Sequence, residues 1–215
     1  MPDLPAISFN FALSADGKIA AAAGPAGRWT SPADLDRLHA LRLAADALLV
    51  GRGTLEADRM TLTVPAALNP PHQPLRCIVS RRGGIDPHHR IFSTPGGPIH
   101  ILITGDPAPN HPPATLATIH HASLTGFLAT LHRDHAVRRV HCEGGGQLAR
   151  ALLEADLVDT IHLTWAGHTL FGGHDAPTLT GLPGPFLPAS RQFQLAAFEP
   201  RPHHAECFLT YRRTR

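Results

Sequence analysis

Short apolar runs recur along the chain, and most of them are bounded by glycine, proline or aspartate. Residues 7–13 alternate apolar with small or polar side chains, a period of two that predicts a strand, and the pattern stops at a turn signal over residues 14–17. Later runs are rich in β-branched side chains and predict buried strands. These predicted strands cover residues 46–50, 75–79, 99–103, 137–142 and 158–165.

Helical patterns fall between the predicted strands. Ser31 can cap a helix whose first position is Pro32, and leucines at helical spacing continue the pattern to Ala45. Repeated strand–helix–strand units imply a parallel sheet covered by helices on both faces. Residues 51–58 predict a tight turn that leads into a short helix, and further predicted helices cover residues 124–132 and 146–155.

The tail of the chain has a different pattern. Residues 193–198 and 205–211 alternate on either side of a proline-containing turn at 199–202, which predicts an antiparallel hairpin at the sheet edge. Proline-rich stretches at 65–74 and 107–113 are expected to be extended loops. We predict a single α/β domain with a mostly parallel central sheet flanked by helices and a C-terminal antiparallel hairpin. This domain is expected to span residues 1–215.

Charge and hydropathy narrow the class of partner. The formal net charge is +2 and the basic residues form no long run, which argues against nucleic acid and membrane surfaces and favours a small-molecule ligand. The longest apolar stretches, such as residues 44–50, fall far short of the ~20 residues that span a bilayer. The first residues lack the pattern of a signal peptide, so we expect a cytoplasmic protein.

Cysteine and histidine spacing gives no metal or disulfide motif. Cys77, Cys142 and Cys207 are scattered without a CxxC pair, so we expect reduced packing residues. Many of the 16 histidines form adjacent pairs, such as His120 and His121, instead of the i, i+4 pairs that bind metals on helices. We predict no metal site, and a metal-bound protein stays the minor alternative.

A strand running into three glycines and then a helix is the strongest local feature. Gly144, Gly145 and Gly146 follow Glu143 at this point. Glycines let the backbone approach a phosphate, and the free amides and dipole of a helix N-terminus stabilise its charge. The turn therefore predicts a pyrophosphate cradle. A tight strand–helix connection without a ligand is the alternative.

Two further strand ends carry candidate ligand-binding groups. Gly51, Gly53 and Thr54, followed by Asp58, lie where open α/β sheets bind ligands; the alternative is a helix cap beside a solvated turn. Ser80 and Arg81 follow the strand at 75–79 and offer a hydroxyl and a guanidinium, which suits the 2′-phosphate of NADP. Here a solvated loop is the alternative.

Together these motifs resemble the reductase domain of riboflavin biosynthesis, in the pyrimidine-reductase branch of the dihydrofolate-reductase-like superfamily. They occur in family order over nearly the whole chain. The matching stretches are 14–20 (SADGKIA), 28–31 (RWTS), 39–42 (HALR), 46–54 (DALLVGRGT) with Asp58, 143–145 (EGG), 157–159 (LVD) and 170–173 (LFGG).

The resemblance implies a dihydrofolate-reductase-like fold, NADPH as cofactor and usually a homodimer. It also implies roles for individual residues. Lys18, Asp58 and Glu143 become the candidate catalytic residues, and Asp16 and Thr30 the candidate substrate-binding residues. The implied cofactor contacts are Gly51, Gly53 and Thr54 for the nicotinamide and its ribose, Ser80 and Arg81 for the 2′-phosphate, and Gly144, Gly145 and Gly146 for the pyrophosphate.

The implied reaction is the reduction of 5-amino-6-(5-phosphoribosylamino)uracil or a close pyrimidine. One departure widens the substrate range. Family members carry an arginine one or two helical turns after the residue that matches Asp58, where it binds the substrate phosphate, whereas this chain has only the adjacent Arg59. A reductase of the same fold for another pyrimidine, pterin or dihydrofolate-like substrate is therefore the first alternative.

A catalytically weak nucleotide-binding protein is the second alternative, since the sequence singles out no catalytic acid. Deamination is not expected. The chain lacks the His-x-Glu and Pro-Cys-x-x-Cys zinc motif of the deaminase that is often fused to this domain.

Overall fold

The computed structural model describes residues 3–22, 29–107, 115–181 and 191–214. The chain divides into two compact units. The first unit consists of Met1–Ala6 and His39–Cys142, and the second of Ile7–Leu38 and Glu143–Arg215. The single domain expected over residues 1–215 stays a prediction.

The strands and helices of the described residues follow the predicted order closely. The strands are β1 (Ala6–Ser14), β2 (Ala47–Gly51), β3 (Leu75–Ser80), β4 (Ile99–Ile103), β5 (Thr118–His121), β6 (Arg139–Cys142), β7 (Thr160–Ala166), β8 (Phe193–Arg201) and β9 (Glu206–Arg213). The helices are α1 (Pro32–Leu43), α2 (Arg52–Ala57), α3 (Arg90–Ser93), α4 (Leu124–His135) and α5 (Gly146–Glu154), with 3-10 turns at Ala66–Leu68 and Pro202–His204.

The first unit is built on a parallel sheet in the order β5-β4-β3-β2-β6. Every residue of β4, and β2 from Ala47 to Val50, is buried, which explains their nearly continuous apolar sequences. Leu48, Ile78 and Ile101 belong to the main apolar cluster of this unit, together with Leu55 of α2. Strand β2 and helix α2 thus share one core, and α2 begins at Arg52, directly after the last residue of β2.

A buried arginine interrupts the apolar sequence of β3. Arg76 is 6% exposed, and its guanidinium donates to the carbonyl oxygens of Gly97, Ile91 and Thr94. These bonds offset part of the cost of burying the charge. Burial still lowers the pKa of Arg76.

The second unit contains the predicted C-terminal hairpin. Strand β1 pairs in parallel with β7, β7 pairs antiparallel with β9, and β9 pairs antiparallel with β8. The mostly parallel α/β fold with an antiparallel hairpin is therefore confirmed. The turn lies at Pro202–His204, three residues beyond the predicted start, because β8 continues through Pro200 to Arg201. An edge strand tolerates proline, since its outer N–H groups have no ladder partner to lose.

Helix α1 docks in the second unit through polar contacts, and none of its residues is buried. The Arg37 guanidinium donates to the carbonyl oxygens of Leu163 and Leu209 and lies 4.7 Å from the centroid of the Phe208 ring. Desolvation by this burial lowers the pKa of Arg37. The hydroxyl of Thr164 donates to Asp34 over 2.5 Å. The first two turns of α1 are therefore held on β7 and β9 by hydrogen bonds.

Four parts of the predicted pattern differ from the described structure. Strand β5 and helix α3 were not predicted, and α4 ends at His135 instead of residue 132. Most of the proline-rich stretch at 107–113 lies outside the described residues, and the stretch at 65–74 includes a 3-10 turn. None of the helices in the described ranges is long and apolar enough to cross a membrane.

Candidate active site

The glycine-rich turn of the second unit leads directly into α5. Gly144 is buried with φ of +106°, a conformation that only glycine adopts without strain, and a Cβ there would lie 3.3 Å from Cε1 of Phe11. Gly145 is the N-cap of α5 and supplies no side-chain cap. The first N–H groups of α5 therefore lack the side-chain acceptor that usually satisfies them, which suits an anion.

Close packing by itself explains why position 146 is a glycine. A Cβ on Gly146 would lie 2.3 Å from the backbone nitrogen of Gly181 and 3.1 Å from the carbonyl oxygen of Thr178. The tight-connection alternative therefore accounts for Gly146. The pyrophosphate role of Gly144, Gly145 and Gly146 stays a prediction, and it rests most on Gly145, which is the least buried of the three.

The turn after β1 carries Asp16 and Lys18. Asp16 is exposed, and its carboxylate accepts hydrogen bonds from the Ser14 hydroxyl at 2.6 Å and the Gly172 amide at 2.8 Å. The bond from Ser14 is the main reason that the pKa of Asp16 lies below its usual value. Lys18 is half-buried and its backbone bridges to Thr178. The turn at 14–18 is thus tied to the segments at 171–172 and 177–178.

Thr30 lies between two anchored neighbours. The ring of Trp29 packs edge-on against Phe171 with 4.9 Å between ring centroids. The backbone N–H and hydroxyl of Ser31 donate to the two carboxylate oxygens of Glu206 at 2.8 and 2.5 Å. Arg28 of the RWTS motif lies outside the described residues.

The sequence reasoning missed Glu206 and its neighbour His168. The Nε2 atom of His168 lies 3.7 Å from Oε1 of Glu206. A signal for Glu206 was present, because the alternation of β9 places it on the same face as Phe208, which is 3% exposed. A charged residue at a buried strand position calls for a partner, and that partner is Ser31.

The first unit carries the remaining candidates at the ends of two adjacent parallel strands, β2 and β3. Gly51 is the N-cap of α2 and Thr54 lies inside this helix, so Thr54 does not cap it. Gly53 is exposed, and a Cβ there would meet nothing within 4 Å. Asp58 ends the helix and is exposed as a residue, yet the surrounding protein partly desolvates its carboxyl and raises its pKa.

Ser80 and Arg81 end β3 in different environments. Ser80 is buried, and its hydroxyl accepts the Gly83 amide at 2.9 Å, which shapes the following turn. Arg81 is exposed. Arg52, the first residue of α2, donates to the Gly84 carbonyl at 3.1 Å in the turn that follows β3. The Arg81 side chain is thus open to solvent, whereas the Ser80 hydroxyl already has a backbone partner.

Histidines cluster elsewhere in the first unit. Nδ1 of His100 and Nε2 of His120 are 3.0 Å apart, and the His135 ring lies 4.6 Å from that of His100. Burial is the main cause that lowers the pKa of His100 to about 4, so its ring is neutral at neutral pH. Within the described ranges no group of three or more histidine, cysteine, aspartate or glutamate side chains is arranged to hold a metal ion.

Comparison with known proteins identifies a family. The model of the RibD C-terminal domain matches residues 5–201. The 2,5-diamino-6-ribosylamino-4(3H)-pyrimidinone 5′-phosphate reductase of Methanothermobacter thermautotrophicus is 32% identical over 184 residues, which cover 81% of this chain and 83% of the relative. The enzyme of the same name from Archaeoglobus fulgidus is 31% identical over 191 residues, covering 81% of this chain and 85% of the relative.

Longer relatives and solved structures agree with this match. The riboflavin biosynthesis protein RibD of Mycobacterium tuberculosis is 34% identical over 79% of this chain, which spans 44% of that protein. RibD of Acinetobacter baumannii matches 98% of this chain and 58% of its own with a TM-score of 0.82 at 23% identity. Dihydrofolate reductase from Enterococcus faecalis matches 98% of this chain and 97% of its own with a TM-score of 0.55 at 16% identity, which confirms the predicted dihydrofolate-reductase-like fold.

Proposed function

The chain belongs to the RibD C-terminal domain family, and from this premise we propose that it is an NADPH-dependent reductase of a phosphoribosylamino-pyrimidine in riboflavin biosynthesis. The observation that carries the proposal is the match, above 30% identity and over four fifths of the chain, to two named pyrimidine reductases. We infer that it acts in the cytoplasm, where such biosynthetic enzymes find NADPH.

Two closely related compounds are the candidate substrates. The first is 5-amino-6-(5-phosphoribosylamino)uracil, which the resemblance to the riboflavin reductase domain implies. The second is the 2,5-diamino-pyrimidinone named for the two archaeal relatives, which match over more than four fifths of their own length. The two compounds differ in a single ring substituent, an oxygen or an amino group.

Each unit, taken by itself, carries residues that would suit a part of a nicotinamide nucleotide. In the second unit, the glycine at the start of α5 leaves a helix N-terminus without a side-chain cap, which suits the pyrophosphate. In the first unit, Gly51, Gly53 and Thr54 would contact the nicotinamide and its ribose, and Ser80 and Arg81 the 2′-phosphate. When bound, NADPH supplies the hydride that reduces C1′ of the open sugar imine.

The reduction also needs a proton, which we expect a side chain of the protein to donate. As C1′ is reduced, the electron pair of the C=N bond moves to the nitrogen, which must gain a proton. We assign the donor role to Asp58, because a carboxyl with a raised pKa keeps its proton closer to neutral pH. Lys18 and Glu143 are assigned to the substrate hydroxyl and ring amino groups. The Asp16 carboxylate accepts hydrogen bonds from the Phe171 and Gly172 amides. We therefore propose that Asp16 acts on the substrate by fixing the conformation of the segment at 171–172.

The arginine that is expected to bind the substrate phosphate is missing after Asp58. Arg59 is exposed with φ of +49° next to Asp58, and residues 60–65 contain no basic side chain. This departure is the reason to retain a reductase of the same fold for another pyrimidine, pterin or dihydrofolate-like compound as the second candidate.

The decisive experiment is NADPH oxidation by the purified protein with each candidate substrate. We expect turnover of the uracil or the diamino-pyrimidinone 5′-phosphate, and the dephosphorylated compounds measure how much the phosphate contributes. Turnover of dihydrofolate or a dihydropterin alone would establish the second candidate. NADPH binding without turnover of any compound would identify a nucleotide-binding protein with little catalytic activity.

We also propose a homodimer, supported by one sheet face of the second unit. Register places Leu195 beside Tyr211 and Phe198 beside Leu209, with Tyr211 and Leu209 two residues apart on the same face of β9. Leu195 and Phe198 are 54% and 58% exposed. Exposed apolar side chains grouped on one face suit an interface with a second copy of the chain.

A further inference from the structure

Glu206 is a buried carboxylate that the proposed reaction does not use. It opens β9 and is 5% exposed. Burying a charge costs free energy unless hydrogen bonds compensate it. Here the backbone N–H of Ser31 donates to Oε1 at 2.8 Å and the Ser31 hydroxyl donates to Oε2 at 2.5 Å. Both oxygens of Glu206 therefore accept hydrogen bonds from a residue 175 positions earlier in the chain.

Ser31 also connects Glu206 to the start of α1. Its hydroxyl oxygen also accepts the Asp34 amide at 3.3 Å, so Ser31 closes the first turn of the helix. The negative charge of Glu206 lies beside the positive end of the helix dipole, which favours the same arrangement. The position of residues 29–31 is consequently set by β9.

The loop at 168–172 is attached to the same carboxylate and to Asp16. His168 lies 3.7 Å from Glu206 at one end of the loop, and Asp16 accepts the Gly172 amide at the other end. Between them, Phe171 packs against Trp29. Glu206 thus contacts both Ser31, next to Thr30, and His168, the first residue of the loop that Asp16 closes.

We propose that Glu206 is a positioning residue for the pyrimidine, acting through Ser31 and His168 without touching the substrate. The proposal rests on the proposed function in one respect, namely that Thr30 faces the pyrimidine. A misplacement of 1 Å in a positioning group costs up to about 100-fold in rate. The carboxylate therefore determines how tightly the pyrimidine binds and how well it is aligned.

The first test compares Glu206→Leu, Glu206→Gln and the exposed control Glu199→Leu. We expect Glu206→Leu to raise KM for the pyrimidine by about tenfold, because the variant removes both charge-assisted hydrogen bonds to Ser31. The Kd for NADPH should stay within about twofold, because the polar partners of the Glu206 side chain among the described residues, Ser31 and His168, are not candidate cofactor contacts. Glu199 is exposed on β8, where it forms an ion pair with Arg201 and interacts electrostatically with Arg37; neither partner contacts Ser31 or His168 through a hydrogen bond or ion pair among the described residues, so its variant should match the wild type.

Glu206→Gln separates positioning from a need for charge. The amide oxygen can accept the Ser31 N–H, and the Ser31 hydroxyl can rotate to accept the new NH₂ group. We therefore expect KM of this variant to lie within about threefold of the wild type, corresponding to the loss of only the charge-assisted part of the bonds. Ser31→Ala keeps the N–H bond and should give an intermediate KM. It also replaces Glu206→Leu as the test if that variant does not fold.

A second readout is independent of activity. The chain has two tryptophans, so Trp165→Phe leaves Trp29 as the sole tryptophan fluorophore. In this background Glu206→Leu should shift the Trp29 emission to the red and increase its quenching by acrylamide, whereas Glu206→Gln should change neither. If no pyrimidine is turned over, the proposed function is wrong. The fluorescence then still tests whether Glu206 fixes the position of residues 29–31.

Two outcomes would overturn the proposal. One is a folded Glu206→Leu variant whose pyrimidine KM and Trp29 quenching equal those of the wild type. The other is a loss of NADPH affinity in parallel with the rise in KM, which would identify a general structural role.

Discussion

At the scale of single residues, Asp58 combines an exposed position with a partly desolvated carboxyl. The raised pKa means that the native state holds the proton at a pH where the unfolded chain has lost it. Native stability is therefore unaffected below the ordinary carboxyl pKa of about 3.9 and decreases as pH rises towards the native pKa. Such a cost is typical of a group kept for chemistry and not for folding.

We expect Asp58→Asn to raise the Tm at pH 7 and to leave it unchanged at about pH 3, where the wild-type carboxyl is neutral in both states. The same variant should lower kcat by about 100-fold or more if Asp58 donates the proton. Thermal unfolding at the two pH values and steady-state kinetics measure both effects. Asp36→Asn, at an exposed position of α1, is the matched control. A lower Tm at pH 7 would contradict the desolvation argument.

Arg81 tests the proposed preference for NADPH. Arg81 directly follows β3 and is exposed, so its guanidinium is open to an incoming 2′-phosphate. Arg81→Ala should raise the Kd of NADPH by about tenfold, the equivalent of one charged hydrogen-bond pair, and leave that of NADH within about twofold. Fluorescence titration measures both, with the adjacent and exposed Arg82→Ala as control. Equal losses for the two nucleotides would mean that Arg81 does not bind the 2′-phosphate.

At the scale of elements, the start of α5 separates two kinds of glycine. Gly145 has φ of −62° and ψ of 174°, values that other residues adopt freely, whereas Gly146 is packed against the backbone of Gly181. Gly146→Ala should therefore destabilise the fold by roughly 1–3 kcal/mol, the usual cost of overpacking. Gly145→Val should fold and bind NADPH about tenfold more weakly, because its side chain would obstruct the approach of phosphate to the amides.

Urea unfolding and NADPH titration distinguish these two effects. The expected pattern is reduced stability without a specific loss of affinity for Gly146→Ala, and the reverse for Gly145→Val. Wild-type affinity in folded Gly145→Val would rule out the phosphate cradle. The three successive glycines are visible in the sequence, but their separate functions depend on Gly181, which lies 35 positions further along the chain.

An element can be predicted from the sequence when the pattern that defines it lies within its own residues. Strands β3 and β4 are mostly apolar runs, each with one basic residue, between prolines and glycines, and their predicted bounds agree with the structure to within one residue. Strand β5 was missed because its four residues include two histidines and none is buried, so periodicity could not reveal it. The hairpin turn was misplaced because Pro200 is a turn signal by itself, and only pairing with β9 keeps it in a strand.

At the scale of the whole molecule, the second unit shows why part of the site was out of reach of sequence reasoning. Lys18 and Thr30 were found by motif, yet the carboxylate that anchors the Thr30 segment belongs to the last strand of the chain. A contact across 175 positions leaves no periodic trace in one sequence. What the sequence did contain was a glutamate in phase with buried Phe208, a conflict that only a partner could resolve.

The proposed homodimer can be tested on the apolar face of β8 and β9. Phe198 is the more exposed of the two exposed large apolar residues of β8, and its pair Leu209 extends the same face. An interface there would bury Phe198, so Phe198→Asp places a charge in it and should dissociate the dimer. Light scattering after size-exclusion chromatography measures the mass. Leu68→Asp, at a residue 42% exposed in the first unit, is the control and should leave the mass unchanged.

The result also bears on the enzyme, because β9 carries Glu206 at its first residue and Leu209 three residues later. If the dimer face supports the anchor, Phe198→Asp should raise the pyrimidine KM as well as halve the mass. If the two are independent, KM should equal that of the wild type in a monomeric variant. A monomeric wild type would contradict the dimer, and a Phe198→Asp variant that stays dimeric would place the interface on another surface.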